Sequence, residues 1–323
     1  MTWMPFLCLG TGFVLGLNKW VTSKGEIIDL IINISLVLLM FTIGANIGTS
    51  QLIMENLFRI GMNCAVIALM AILCSIICTV IVESTFLHLD EIADKLSVVN
   101  SKPIASYEKF NQSSCENQKS TILLWLMPVC VGLGIVAGKM MIKTNISFYL
   151  NYFLYFSLTI LYTGVGVSLS CNRNVFKYVE ILGWRIILIS IATFAGSILG
   201  GFAASIVLDL PVNIPVMSAA GMSYYSVTGA YMSQVYGAEI GMYGFMVNVM
   251  REFFVVMGLP LIIKISKGSA ISAGASGDMD TMLVPVTKFA GVELGLVTLI
   301  TGTILTFAVP FILPILYNLF LII

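Results

Sequence analysis

The stretch Ile240-Gly-Met-Tyr-Gly-Phe-Met-Val-Asn-Val-Met-Arg-Glu-Phe-Phe-Val-Val-Met-Gly-Leu-Pro-Leu-Ile-Ile263 decides the fold class. It is long enough to cross a bilayer as a helix, which takes about 20 apolar residues. Yet Asn248, Arg251 and Glu252 stand near its middle. A guanidinium or carboxylate at that depth costs about 2.5–3.5 kcal/mol on insertion scales, so such groups are expected to face a polar cavity. Asn248 and Glu252 are four apart and share a helix face, whereas Arg251 points about 100° away. The pair is expected to line something wet, and Arg251 to find another partner. Two segments on either side are too polar and too rich in small residues to be lipid-facing helices. One is Pro211 to Gly237, with Gly221-Met-Ser-Tyr-Tyr-Ser-Val-Thr-Gly229; the other is Ser269 to Lys288, with Ala273-Gly-Ala-Ser-Gly-Asp-Met-Asp280. The three pieces read as one site.

Composition places the rest of the chain in the same environment. Of 323 residues 59% are hydrophobic and 10% charged, with a mean hydropathy of +1.01; a soluble globule carries about 25% charged residues. The reading is an all-α polytopic membrane protein. The formal net charge of zero and the absence of a basic patch exclude nucleic acid as a partner. The N-terminal Met-Thr-Trp-Met-Pro lacks a positive n-region, so the first apolar run is expected to remain as a helix. Cys74 and Cys78 are four apart, which is not the spacing of a redox or zinc site. The single histidine, His88, lies in a polar loop. No metal, no cofactor and no catalytic residue is expected.

Apolar runs of spanning length appear at about 3–19, 28–49, 60–83, 121–141, 147–170 and 181–208, followed by about 238–264 and 291–320. Shifting the chain by about 122 residues superposes Gly10, Gly12 and Gly16 on Gly132, Gly134 and Gly138, Gly44 on Gly166 and Gly61 on Gly183. A unit of three spans, an odd number, places its second copy upside down, the inverted-repeat plan of secondary transporters. A weaker echo at about 53 residues matches Ala220-Gly221 and Ser223 with Ala273-Gly274 and Ser276. Each of those units is a polar hairpin followed by one span. The expected organisation is a first scaffold repeat over 1–83, a cytoplasmic loop over 84–120, an inverted second repeat over 121–208 and a core transport region over 209–323.

Charge orients this plan. With eight crossings, two re-entrant hairpins and the N-terminus outside, Lys19, Lys24, the loop lysines, Arg173, Lys177, Arg185, Lys264, Lys267 and Lys288 fall on the cytoplasmic side. Only Arg59, Lys139 and Lys143 fall outside. This is the positive-inside bias, and it orients the chain with both termini external. A ten-crossing arrangement would put Lys264 and Lys267 outside.

Irregular backbone is tolerated at membrane depth where it is buried in protein or lines water. The start of a half-helix there offers unpaired N–H groups to an anionic group such as a substrate carboxylate, with Ser223, Ser226, Thr228 and Gly229 as candidates. Glu252, Asp278 and Asp280 would attract a cation: an amine, sodium or a proton. Tyr225 and its neighbours Tyr224 and Tyr231 suit either an aliphatic chain and an ammonium group or the interfacial belt. Glu239 and Glu293 open spans, where a first-turn glutamate serves the helix dipole.

These residues resemble the bacterial lysine exporters of the LysO type. The resemblance rests on Leu208-Asp-Leu-Pro211, on Tyr225-Ser226 with Gly229, on Arg251-Glu252, and on Gly274-Ala275 followed by Met279-Asp280-Thr281 and Pro285. It covers the C-terminal third; the remainder agrees in layout and glycine pattern. It implies export of L-lysine and analogues such as thialysine, and membrane-embedded essential acids corresponding to Glu252 and Asp280. Two departures stand out. Val247-Asn248 occupies the place of an asparagine-aspartate pair, and the interval before Met279-Asp280 is one residue longer, which brings in Asp278 as a replacement carboxylate. Export of a cation against an inside-negative potential costs about 2.3 kcal/mol per 100 mV, so an inward cation is required: H+, with Na+ as the alternative. The expected partners are a cationic amino acid, membrane lipid and, as an open option, a second copy in a homodimer. A sodium-coupled carrier of another amino or organic acid, a cation channel or sensor, and an intramembrane aspartyl protease built on Gly277-Asp278 are the competing readings.

Overall fold

The computed structural model describes residues 4–17, 25–49, 51–87, 129–140, 147–171, 184–279, 281–290 and 294–322. Most of the polar loop, Asp280, Gly183 and Glu293 lie outside the described residues. The first six helices are α1 (Met4–Gly16), α2 (Gly25–Thr49), α3 (Gln51–Phe86), α4 (Val129–Met140), α5 (Ser147–Cys171) and α6 (Ile187–Leu208), the last entered through a 3-10 turn at Trp184–Ile186. Then follow α7 (Asn213–Ala219), α8 (Tyr225–Tyr236), α9 (Ala238–Ile262), α10 (Lys267–Gly274), a 3-10 turn (Ala275–Met279), α11 (Leu283–Ala290) and α12 (Gly295–Ile322). Among the described residues four segments are long and apolar enough to cross a membrane: Phe58–Phe86, Trp184–Leu208, Ala238–Ile262 and Gly295–Leu321. The chain is a multi-pass helical membrane protein.

The glycine pattern acquires its cause in the packing. Gly12 of α1 lies against the Thr163 backbone of α5, and Gly134 of α4 against that of Phe41 in α2. The two glycines are one repeat shift apart, and so are the residues they touch. The same exchange relates Gly16 against Val167 to Gly138 against Ala45, and Gly166 against Leu9 to Gly44 against Val131. A Cβ at any of these glycines would overlap a neighbour, a backbone atom in every case but Gly16, where Ser170 Cβ stands nearest, so the helices meet almost main chain to main chain. Succession of the contacts shows that α1 runs parallel to α5, and α2 parallel to α4. In contrast α3 and α6 run antiparallel, since Gly196 meets Ser75 while Gly200 meets Ala71. The outer face of α6 shows Ile191, Leu199 and Ile206 at 55%, 54% and 84% exposure, side chains suited to lipid.

Local chemistry ends the helices where the hairpins begin. Asp209 takes φ 52° after α6, and the Ser205 hydroxyl donates to the Leu210 carbonyl at 2.8 Å to close that turn. Gly237, at φ 95°, reverses the chain between α8 and α9 in a conformation that costs glycine least. Ser266 caps α10, its hydroxyl accepting from the Ser269 N–H at 2.9 Å. The two polar segments are therefore helix–break–helix units: α7 and α8 around residues 220–224, and α10 and α11 around the 3-10 turn Ala275–Met279. We call them hairpin one and hairpin two.

Candidate functional site

The two breaks carry unusual backbone and touch each other. In hairpin one Met222 and Ser223 take φ 48° and 75°, and in hairpin two Ala275 takes φ 53°. Left-handed non-glycine residues cost about 1–3 kcal/mol each and persist only when surroundings hold them. Here they hold one another: the Ser276 N–H and hydroxyl both donate to the Met222 carbonyl, at 3.0 and 2.7 Å. Thr306 of α12 supports the tip from behind by donating to the Ser276 carbonyl at 3.1 Å.

Helix α9 joins both hairpins through the polar residues at its middle. Asn248 is fully buried, and its amide is spent on hairpin one. Its oxygen accepts from the Ser223 N–H at 2.8 Å, and its NH2 donates to the Ser218 and Gly244 carbonyls at 2.9 and 2.7 Å. By sequence Asn248 is expected to line a wet face; here its amide is a clasp that fastens the break in its left-handed shape. Arg251, 1% exposed, turns the other way, as its offset on the helix demands. Its Nη1 donates to Ser197 Oγ at 2.7 Å, and its Nη2 to the Ser272 carbonyl at 3.2 Å and more weakly to Ser75 Oγ at 3.4 Å. Glu252, 5% exposed, follows Asn248 by one turn on the same face.

Each expected ligand can now be placed. Asp278 is fully buried in the 3-10 turn of hairpin two; its carboxylate fills the space a side chain at Gly274 would need, and Gly302 of α12 packs on its backbone. Gly221, the counterpart of Gly274 in hairpin one, is crowded in the same way by Thr228 and the Asn248 amide. Thr228 donates to the Tyr224 carbonyl at 2.8 Å, so its hydroxyl serves the first turn of α8. Gly229 admits the backbone of Phe245 on α9, and Tyr225 meets the Phe245 ring edge-on at 6.0 Å. Ser226 is buried at the start of α8. The Ser223 hydroxyl is buried and has no hydrogen-bond partner among the described residues. Ser223, Asn248, Arg251, Ser276 and Asp278 are thus connected through the meeting hairpins, and Glu252 stands beside them on α9. Among the described residues no three His, Cys, Asp or Glu side chains group as metal ligands.

Sequence reasoning passed over Ser75, Ser197 and Thr306. A signal for the first two was available, since Ser75 and Ser197 are one repeat shift apart. Thr306 carried none, because a threonine in an apolar span satisfies itself as readily on its own helix.

No solved structure is significantly similar to this chain. The chain is 27% identical over 155 residues, 48% of its length, to a protein of Escherichia coli (strain K12) named lysine exporter LysO, covering about half (52%) of that relative. It is 23% identical over 181 residues, 56% of its length, to a Haemophilus influenzae protein named putative lysine exporter, of which 91% is covered. The model of the lysine exporter LysO family matches residues 6–101 and 128–317, which takes in helices α1 to α11, both helix breaks and Asn248, Arg251 and Glu252 of α9. With nearly the whole described chain inside that match, the protein belongs to the lysine exporter LysO family, a family of membrane transporters.

Proposed function

We propose that the chain exports L-lysine and close analogues such as thialysine across the bacterial inner membrane, exchanging them for protons. One observation carries the reading: two helix breaks, each with left-handed backbone, meet beside a spanning helix that bears Glu252 and reaches both of them. Such an arrangement offers what an amino-acid zwitterion with an extra ammonium needs. The first-turn N–H groups of α8 and the Ser223 hydroxyl suit the carboxylate. The carboxylates of Glu252 and Asp278, with that of Asp280 two residues on in the sequence, suit an ammonium group and can equally take up the inward-moving protons once the substrate has left.

Eight crossings with the hairpins re-entrant, the second three-span unit inverted and both chain ends outside complete the proposal. The exchange of equivalent glycine contacts and the antiparallel run of α3 against α6 support it. Export of a monovalent cation by exchange for one proton is electroneutral and follows the pH gradient alone; exchange for two lets the membrane potential contribute about 2.3 kcal/mol per 100 mV. Proteoliposomes given a pH gradient in sodium-free buffer test this directly. Lysine movement under those conditions is expected, and movement that starts only when sodium is added rejects proton exchange. An external thiol reagent should fail to reach a cysteine placed at Lys264, and labelling there rejects the eight-crossing topology.

A further inference from the structure

Ser75 of α3 and Ser197 of α6 hydrogen-bond to each other at 3.0 Å. Equivalent residues of two exchanged copies meet only at the axis of exchange, so this contact marks where the duplication folds onto itself. The Arg251 guanidinium comes from α9, outside both repeats, and sits on that pair. The rest of its fork faces hairpin two. Nη2 donates to the Ser272 carbonyl at 3.2 Å, Nε reaches the Ala273 carbonyl at 3.5 Å, and the Ser272 hydroxyl returns a bond of 3.1 Å to the Ser75 carbonyl. Ser272 and Ala273 lie in the last turn of α10, the negative end of that helix.

We propose that Arg251 is a positioning residue that clamps hairpin two to α3 and α6, so that the third span of each repeat travels with the hairpins as one body during transport. This rests on the transporter reading. The division of the molecule follows the clamp: α3 and α6 pack on each other and on α7, α9 and α10, whereas α1, α2, α4 and α5 pack chiefly among themselves. At Gly196 and Gly200 the backbone of α6 is pressed against α3, and at Gly201 against Val216 of α7, which leaves no layer of flexible side chains on which these helices could slide. A planar fork is needed because the anchors lie in different directions. A lysine ammonium at this position keeps the charge and cannot span them.

Amide exchange on the full-length protein reads the clamp without reference to substrate. In Arg251→Gln, exchange over residues 267–279 should rise by at least about tenfold while residues 213–236, held by Asn248, keep native protection. Arg251→Lys should fall between the two. Unchanged protection of hairpin two, or loosening spread evenly over α3, α6 and both hairpins, overturns the proposal. For the travelling body, Ser75→Cys with Ser197→Cys puts two thiols where the hydroxyls stand 3.0 Å apart, within disulfide reach. Lysine counterflow through the oxidised protein should equal that of the same protein reduced, and loss on oxidation shows that α3 and α6 must part. If the native protein itself fails to exchange lysine, the export reading falls, and the exchange experiment still decides the clamp.

Discussion

Replacing Asn248 by alanine should unfasten hairpin one while leaving hairpin two in place. The substitution removes the acceptor of the Ser223 N–H and one donor to the Ser218 carbonyl, which keeps the backbone N–H groups of Ala220 and, at a long 3.3 Å, Gly221. The Gly244 carbonyl also loses the amide, but it sits inside α9 four residues back and keeps its place in the helical ladder. A buried N–H left without a partner costs about 1–3 kcal/mol, and a weakened carbonyl about 0.5–1.5 kcal/mol more, giving about 1.5–4.5 kcal/mol. The left-handed strain at Met222 and Ser223 acts in the same direction, because opening the break relieves it. Amide exchange over residues 213–236 should therefore accelerate roughly tenfold to two-thousandfold, while residues 267–279 change little. Asn248→Leu, similar in volume without the amide, should loosen hairpin one as much and so separates lost hydrogen bonds from lost packing. Exchange in hairpin one that rises less than about threefold in Asn248→Ala would refute the clasp.

Glu252→Gln keeps shape and burial but removes a charge, and should weaken lysine exchange by roughly 10–100-fold, the about 1.5–3 kcal/mol of a charge-assisted hydrogen bond, with an unchanged melting temperature; a variant that exchanges lysine at the native rate removes Glu252 from the site. Gly12→Val and Gly134→Val push side chains into the Thr163 and Phe41 backbones and should destabilise the protein alike, by about 1–3 kcal/mol each. Gly10 and Gly132, also one shift apart, have no atom within 4 Å of the place a Cβ would take, and the same change there should be tolerated in both. Unequal effects within either pair, read as thermal melts in detergent, contradict the exchanged packing.

Several features of this protein follow from residues alone. Runs of about twenty apolar residues have one stable answer in lipid, so the helices at 25–49, 147–171, 238–262 and 295–322 lie close to where the pattern put them. Glycines, prolines and hydroxyl side chains in place of bulky apolar ones marked both hairpins, because such segments gain little from either helix propensity or lipid. The glycine spacing of about 122 residues was legible because close backbone packing recurs at that spacing, Gly12 on Thr163 and Gly134 on Phe41. What each polar side chain in α9 does was beyond that reach. Periodicity tells which residues share a face of one helix, and it put Asn248 and Glu252 together and Arg251 apart. It does not tell what stands opposite that face. Only the packed structure assigns Asn248 to the break at Ser223 and Arg251 to Ser75, Ser197 and Ser272, contacts that span 21 to 176 residues of chain. Hydrogen bonds of that kind are selected by the close approach of whole helices, and the backbone contacts at Gly196, Gly200 and Gly201 that permit the approach exist only once the helices have met.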